Sequence, residues 1–111
     1  MNQRMHLLVY PVKDMAKTKK LYTELLGVKP YADQPYYVGF RTGDLEIGLD
    51  PNGRTAGPLA YWEVADIRAG LKQLLDAGGQ ADQDVKDVGG GKLIATVKDA
   101  NGNTIGLMQS P

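Results

Sequence analysis

The 111-residue sequence predicts an α+β fold made of two tandem βαβββ modules, forming a curved mixed sheet around a cleft. Three observations predict it. Short apolar stretches with strand-like alternation run in the order strand, helix, strand, strand, strand, and then the order starts again. The two runs also match in detail. Val12-Lys13-Asp14 pairs with Val64-Ala65-Asp66, and Ile47-Gly48-Leu49 pairs with Ile105-Gly106-Leu107, the extra spacing in the second run falling on its longer glycine-rich loop. Finally, each run carries one amphipathic helix, enough to cover one face of one small sheet.

Each element has a local reason. Met5 to Val12 is short, apolar and stopped near Pro11, as a strand should be. Asp14 can accept from the free amides of the next turn and so caps a helix. Met15, Leu21, Tyr22, Leu25 and Leu26 form the helix's apolar stripe, Lys17, Lys19, Lys20 and Glu24 lie between them, and Gly27 is the C-cap. Val28 to Ala32 is expected as a short strand whose Pro30 suits an edge, followed by a turn at Asp33-Gln34-Pro35. Tyr36 to Arg41 is rich in β-formers, and Thr42-Gly43-Asp44 turns the chain into the alternating Leu45 to Leu49. Asp50 to Pro58 has turn and linker composition.

In the second run Leu59 to Val64 is a strand. Asp66 caps a helix with the stripe Ile67, Leu71, Leu74 and Leu75, which ends at Gly78-Gly79. Gln80 to Val85 reads as a polar strand, Asp87 to Gly91 as a glycine-rich loop and Lys92 to Val97 as a strand. Asn101-Gly102 is a tight hairpin signal before the last strand, Asn103 to Gln109. The expected organisation is one domain over residues 1–111, its modules at about 5–50 and about 59–109.

Composition narrows the chemistry. Thirteen basic and thirteen acidic side chains cancel, which removes the basic face that nucleic-acid binding needs. The absence of cysteine excludes thiol catalysis, zinc ribbons, iron–sulfur sites and disulfide scaffolds. One histidine cannot supply a multi-histidine metal site within one chain. The apolar run Leu7 to Val12 is far short of the roughly 20 residues a membrane span requires, and the polar start Met1-Asn2-Gln3-Arg4-Met5-His6 lacks secretory-signal character. A cytoplasmic protein with no membrane or nucleic-acid partner is expected.

Tyr10-Pro11-Val12-Lys13-Asp14-Met15 and Leu21 to Val28 in the first run, with Tyr61 to Ile67, Leu74 to Gly78 and Lys98 to Asn103 in the second, carry a family likeness. In order, spacing and duplication the chain resembles the vicinal oxygen chelate superfamily, which includes glyoxalase I, extradiol dioxygenases, and fosfomycin and bleomycin resistance proteins. The resemblance covers almost the whole chain. It implies the fold and a homodimer but not one activity, since this fold hosts several chemistries. In the metal-dependent members four cleft side chains hold the ion, two from each half. The matching positions are Leu7, Gly48, Leu59 and Gly106, and none can ligate through its side chain. No metal or other cofactor is therefore expected. His6 lies one residue before Leu7, so strand alternation sends it to the opposite face, or it lies at the strand's frayed start; a register shifted by one residue would make it a ligand.

With Leu7 setting the parity, Ile47, Leu49, Trp62, Val64, Ile105 and Leu107 pack beneath the helices. The expected ligand-binding cleft is lined by Leu7, Val9, Tyr37, Glu46, Gly48, Leu59, Tyr61, Glu63, Gly106 and Met108, with Thr104 on the same face. Gly48 and Gly106 either leave room for a flat ligand or ease close backbone approach. Tyr36, Tyr37 and Phe40 are either core residues or a stacking wall. Glu46 or Glu63, if buried alone, would have a raised pKa and could act as a base; a solvated rim or a dimer interface is the other reading. Gly89-Gly90-Gly91 precedes no helix and so lacks the geometry of a phosphate-binding loop; it is expected as a flexible lip. No catalytic residue is assigned. The function expected is metal-independent binding of an aromatic or antibiotic-like small molecule, as in bleomycin-resistance-type members. A metal-dependent lyase, isomerase or dioxygenase using His6 with Glu46 or Glu63 is the alternative, and an interaction module that has lost its ligand is a third.

Overall fold

A computed structural model describes residues 4–53 and 56–111. Met1-Asn2-Gln3 of the N-terminal stretch and Arg54-Thr55 of the expected linker lie outside the described residues. The elements are β1 (Arg4–Pro11), α1 (Met15–Leu26), β2 (Ala32–Gln34), β3 (Tyr37–Thr42), β4 (Leu45–Asp50), β5 (Leu59–Glu63), α2 (Ile67–Asp76), β6 (Gln80–Asp87), β7 (Leu93–Lys98) and β8 (Thr104–Gln109). They make βαβββ twice. Among the described residues, contacts gather into two compact units, His6–Leu59 and Ala60–Pro111, the latter with Arg4 and Met5.

In the first module the strands lie in the order β2-β3-β4-β1. β1 and β4 run parallel, from Leu7↔Glu46 to Pro11↔Asp50, while β2, β3 and β4 pair antiparallel. A parallel neighbour cannot be reached by a tight turn, and α1 falls within the long connection from β1 to β4. Asp14 starts α1, its Oδ1 accepting from the Lys17 amide at 3.1 Å, a cap that contributes about 1 kcal/mol. Gly27 ends it in the left-handed region (φ 68°), its amide donating to the Thr23 carbonyl at 2.9 Å. Beneath α1 lies a core of Val38, Phe40, Ile47 and Leu49, against which Leu8, Tyr10, Met15, Tyr22 and Leu26 pack. The Tyr10 and Tyr22 rings meet tilted, 5.5 Å between centroids.

The second module repeats this arrangement in the order β5-β8-β7-β6, with β5 parallel to β8. Asp66 caps α2 through the Ala69 amide at 3.1 Å, and the Ile67 amide donates to Gln109 Oε1 at 2.8 Å, tying the helix start to the end of β8. Val64, Ile67, Ala95 and Leu107 form its core, with Trp62, Leu71, Leu74 and Val85 against it. The residues expected beneath the helices accordingly include Ile47, Leu49, Trp62, Val64 and Leu107; Ile105 shares the face of Leu107 by alternation along β8. The β7–β8 turn is held by Asp99, whose Oδ1 accepts from the Asn101 and Asn103 amides at 2.9 Å each and whose Oδ2 accepts from the Asn103 side chain at 3.0 Å. Those bonds hold its carboxyl below the ordinary range.

Four local expectations change. The short strand does not occupy Val28 to Ala32; it starts at Ala32 and includes Asp33 and Gln34, so the turn moves to Pro35-Tyr36. The left-handed Gly27 and the donor-less Pro30 keep Val28 to Pro30 out of the ladder. The α1 stripe is narrower than its apolar residues suggest. Met15, Tyr22 and Leu26 face the core, whereas Leu21 and Leu25 are exposed, because one residue is a 100° rotation around a helix. The aromatic group Tyr36, Tyr37 and Phe40 separates: Phe40 is buried, Tyr37 half-buried and Tyr36 exposed in the turn. The expected glycine lip is a hairpin connection, with the Val88 amide donating to the Lys92 carbonyl at 2.9 Å and positive φ at Gly89, Gly90 and Gly91.

Candidate functional site

The polar groups of the first module converge on Glu46. In β4 it alternates with the core residue Ile47 and so stands on the sheet face away from α1, opposite Leu7 of β1 and Arg41 of β3. Glu46 Oε1 accepts a hydrogen bond from the Tyr31 hydroxyl. Glu46 Oε2 lies 2.9 Å from His6 Nε2. The Arg41 guanidinium carbon sits over the Tyr31 ring, 4.1 Å from its centroid, a cation–π contact.

Sequence alternation placed His6 away from this face, and the structure corrects that. His6 precedes Leu7, the first β1 residue paired with β4. It lies within β1 but outside the pairing with β4, and its imidazole reaches Glu46. Nor is Glu46 a carboxylate buried alone, since each oxygen has a partner. In the second module Glu63 is partnered as well, its Oε1 accepting from the Ser110 hydroxyl at 2.8 Å.

Tyr31 is the member that sequence reasoning missed most completely. It lies before β2, outside any alternating stretch, and its amide donates to the Gly39 carbonyl at 2.9 Å. Burial is the main reason its phenol is pushed well above the ordinary 10.0; the bond to Glu46 and the nearby Tyr37 and Glu46 add to this, and Arg41 opposes it. Arg41 was legible: it continues the alternation Tyr37, Gly39, Arg41 that lines this face. One consequence is measurable at high pH. Above pH 10 the unfolded chain releases the Tyr31 proton while the folded module retains it, so stability falls as pH rises. Tyr31→Phe should flatten that fall in urea melts between pH 9 and 11; an unchanged slope would show that Tyr31 does not carry it.

The face is closely covered over its glycines. A Cβ on Gly39 would stand 2.8 Å from Tyr31 Cζ, and one on Gly48 would meet the Tyr37 hydroxyl. Gly39 and Gly48 are directly paired across β3 and β4, so the two tyrosines cover adjacent glycines. In the second module a Cβ on Gly106 would stand 2.6 Å from Tyr61 Cδ1 and 2.9 Å from the Ala60 carbonyl oxygen. Gly48 and Gly106 could leave room for a ligand or ease close approach; the space above them is taken by tyrosines of the same module. Leu7, Val9 and Leu59 are half-buried, and Met108 is fully buried.

The donor set does not fit the divalent ion of metal-dependent relatives. Leu7, Gly48, Leu59 and Gly106 carry no ligating side-chain atom, and aromatic rings occupy the space over two of them. His6 and Glu46 are two donors, and the described residues hold no group of three His, Asp or Glu side chains placed to share an ion. No step through a metal follows from these residues.

A family model for the glyoxalase/bleomycin resistance protein/dioxygenase superfamily matches residues 4–107. No curated protein matches the chain significantly. Among solved structures, a hypothetical protein from Bacillus halodurans C-125 superposes with a TM-score of 0.81 at 14% identity, covering 100% of this chain and 96% of that one. A glyoxalase/bleomycin resistance protein/dioxygenase superfamily member from Vibrio splendidus 12B01 gives 0.74 at 14% identity, covering 98% and 100%. Methylmalonyl-CoA epimerase from Mycobacterium tuberculosis gives 0.73 at 17% identity, covering 96% and 88%. At these identities the likeness is one of fold.

Proposed function

This chain belongs to the glyoxalase/bleomycin resistance protein/dioxygenase superfamily, and on that premise we propose that it binds a small aromatic molecule without a metal. The observation that carries this reading is the pair of tyrosines over the paired glycines Gly39 and Gly48. Together they set aromatic rings over this part of the sheet, edged by the Tyr31 hydroxyl and Glu46. Flat aromatic floors with a few fixed polar groups suit planar ligands, which gain both buried area and offset stacking. Tyr31 keeps 42% of its surface exposed; its ring carries the Arg41 guanidinium, so a ligand would stack on the Tyr37 side of the floor. The proposal includes a cytoplasmic homodimer, the assembly that the resemblance implies. Among the described residues no helix is long and apolar enough to cross a membrane.

Calorimetric titration with 2-naphthamide, a neutral planar probe, tests the reading. Saturable binding is expected, weakened at least tenfold by Tyr37→Ala and little changed by Tyr36→Ala, whose ring is exposed in the turn. Dialysis against Zn²⁺, Mn²⁺ or Ni²⁺ followed by elemental analysis should leave well under one ion per chain, and a chelator should not alter the affinity. Absence of saturable binding, or full affinity in Tyr37→Ala, overturns the reading; one tightly held ion per chain overturns its metal independence. Sedimentation velocity yielding a monomer at micromolar concentration removes the dimer.

A further inference from the structure

We propose that Arg41 selects the charge of the ligand, so that the aromatic molecule taken by the first module carries a carboxylate. This rests on the reading above and deepens it. Arg41 touches Tyr31 through its guanidinium carbon, 4.1 Å from the ring centroid, a contact that uses none of its five N–H donors. Among the described residues those donors meet no carboxylate at ion-pair distance and no hydrogen-bond acceptor. The nearest acid by register is Glu46, the cross-strand partner of Arg41, and it is already committed: one oxygen to the Tyr31 hydroxyl, the other to His6.

The arginine is also pre-positioned. Tyr31 is anchored at its hydroxyl by Glu46, at its backbone by the Gly39 carbonyl and beneath its ring by Gly39, where any Cβ would collide. A guanidinium resting on a ring held at three points loses less side-chain freedom when it engages a ligand. Its planar fork matches a carboxylate bidentately. One uncommitted positive charge beside an aromatic floor balances a monoanion, so an aryl carboxylate fits better than a dianionic phosphate.

The test compares three probes of one shape, 2-naphthoate, 2-naphthamide and 2-naphthyl phosphate, by calorimetry at low and at 0.5 M salt. Wild-type protein should bind naphthoate about tenfold more tightly than naphthamide, which is about 1.4 kcal/mol, and the margin should shrink in high salt. Arg41→Gln should bring the two constants to within about twofold, and Arg41→Lys should retain part of the preference. Arg41 is exposed, and matching thermal melts will show that both variants fold. Equal binding of naphthoate and naphthamide by the wild type, or a preference that survives Arg41→Gln, overturns this inference and leaves the aromatic-ligand reading standing. A preference for naphthyl phosphate overturns the choice of a monoanion. Failure of every probe to bind overturns both.

Discussion

Truncating Phe40 to alanine should remove about 3–5 kcal/mol of stability, by lost burial and by the cavity left behind. Phe40 is completely buried in the core of the first module. It lies on β3 with Val38 on the same face, and it pairs with Ile47 on β4. The core around it draws on three strands and α1, which cannot all collapse into the space a benzyl group leaves. Against the 5–15 kcal/mol typical of small domains, that loss is a large share of the total. Urea denaturation of Phe40→Ala and Tyr36→Ala gives a controlled comparison. Tyr36 lies four residues earlier and is 65% exposed, so its truncation should cost no more than about 0.5 kcal/mol. A Phe40→Ala loss below about 1 kcal/mol would mean that this core is not packed as described.

The second large effect is expected at a residue with no side chain. Gly106→Ala should cost about 1–3 kcal/mol, the usual range for overpacking. The new methyl group would meet Tyr61 Cδ1 at 2.6 Å and the Ala60 backbone oxygen at 2.9 Å. The ring edge is close to its own backbone, and the carbonyl belongs to β5, the strand hydrogen-bonded to β8. Neither can swing aside cheaply. Gly48→Ala should cost less, because the nearest atoms are the hydroxyl end of Tyr37, the far tip of a side chain that can rotate away. A double-mutant cycle separates the two contributions at Gly106. In a Tyr61→Ala background the methyl group should cost less than in wild type, but not nothing, because the Ala60 carbonyl remains. Simple additivity of the two substitutions would show that the ring does not press on Gly106. Gly48→Ala should also weaken 2-naphthamide, since it displaces the Tyr37 ring that forms half the proposed floor.

Strand parity was legible in the paired strands, and there it separated the residues beneath the helices from those on the opposite face. Ile47 and Leu49 lie beneath α1 while Glu46 and Gly48 lie opposite, and Trp62 and Val64 lie beneath α2. Period-two alternation is a covalent property of an extended chain, so it survives without tertiary knowledge. The caps were equally legible. Asp14 and Asp66 accept from amides three residues on, a bond that needs only local geometry. The parts that were not legible share a cause: they lie where the local period ends. Tyr31 precedes β2, and His6 precedes the first residue of β1 paired with β4; both side chains meet at Glu46. Leu21 and Leu25 are apolar like Tyr22 and Leu26, and only the placement of the sheet beneath α1 decides which pair it covers.

By itself, then, the sequence determined the duplicated βαβββ order, the aspartate caps of both helices, the core residues of the paired strands and the absence of ligating side-chain atoms at Leu7, Gly48, Leu59 and Gly106. Tertiary structure alone decided that tyrosines fill the space above Gly39, Gly48 and Gly106, that Glu46 is held by Tyr31 and His6, and that Arg41 rests on a ring. The physical reason is one of range. Alternation and capping act over two to four residues along the chain. A ring over a glycine, or a carboxylate shared by two donors, needs groups 8 to 45 residues apart to meet, and only the packed sheet specifies that meeting.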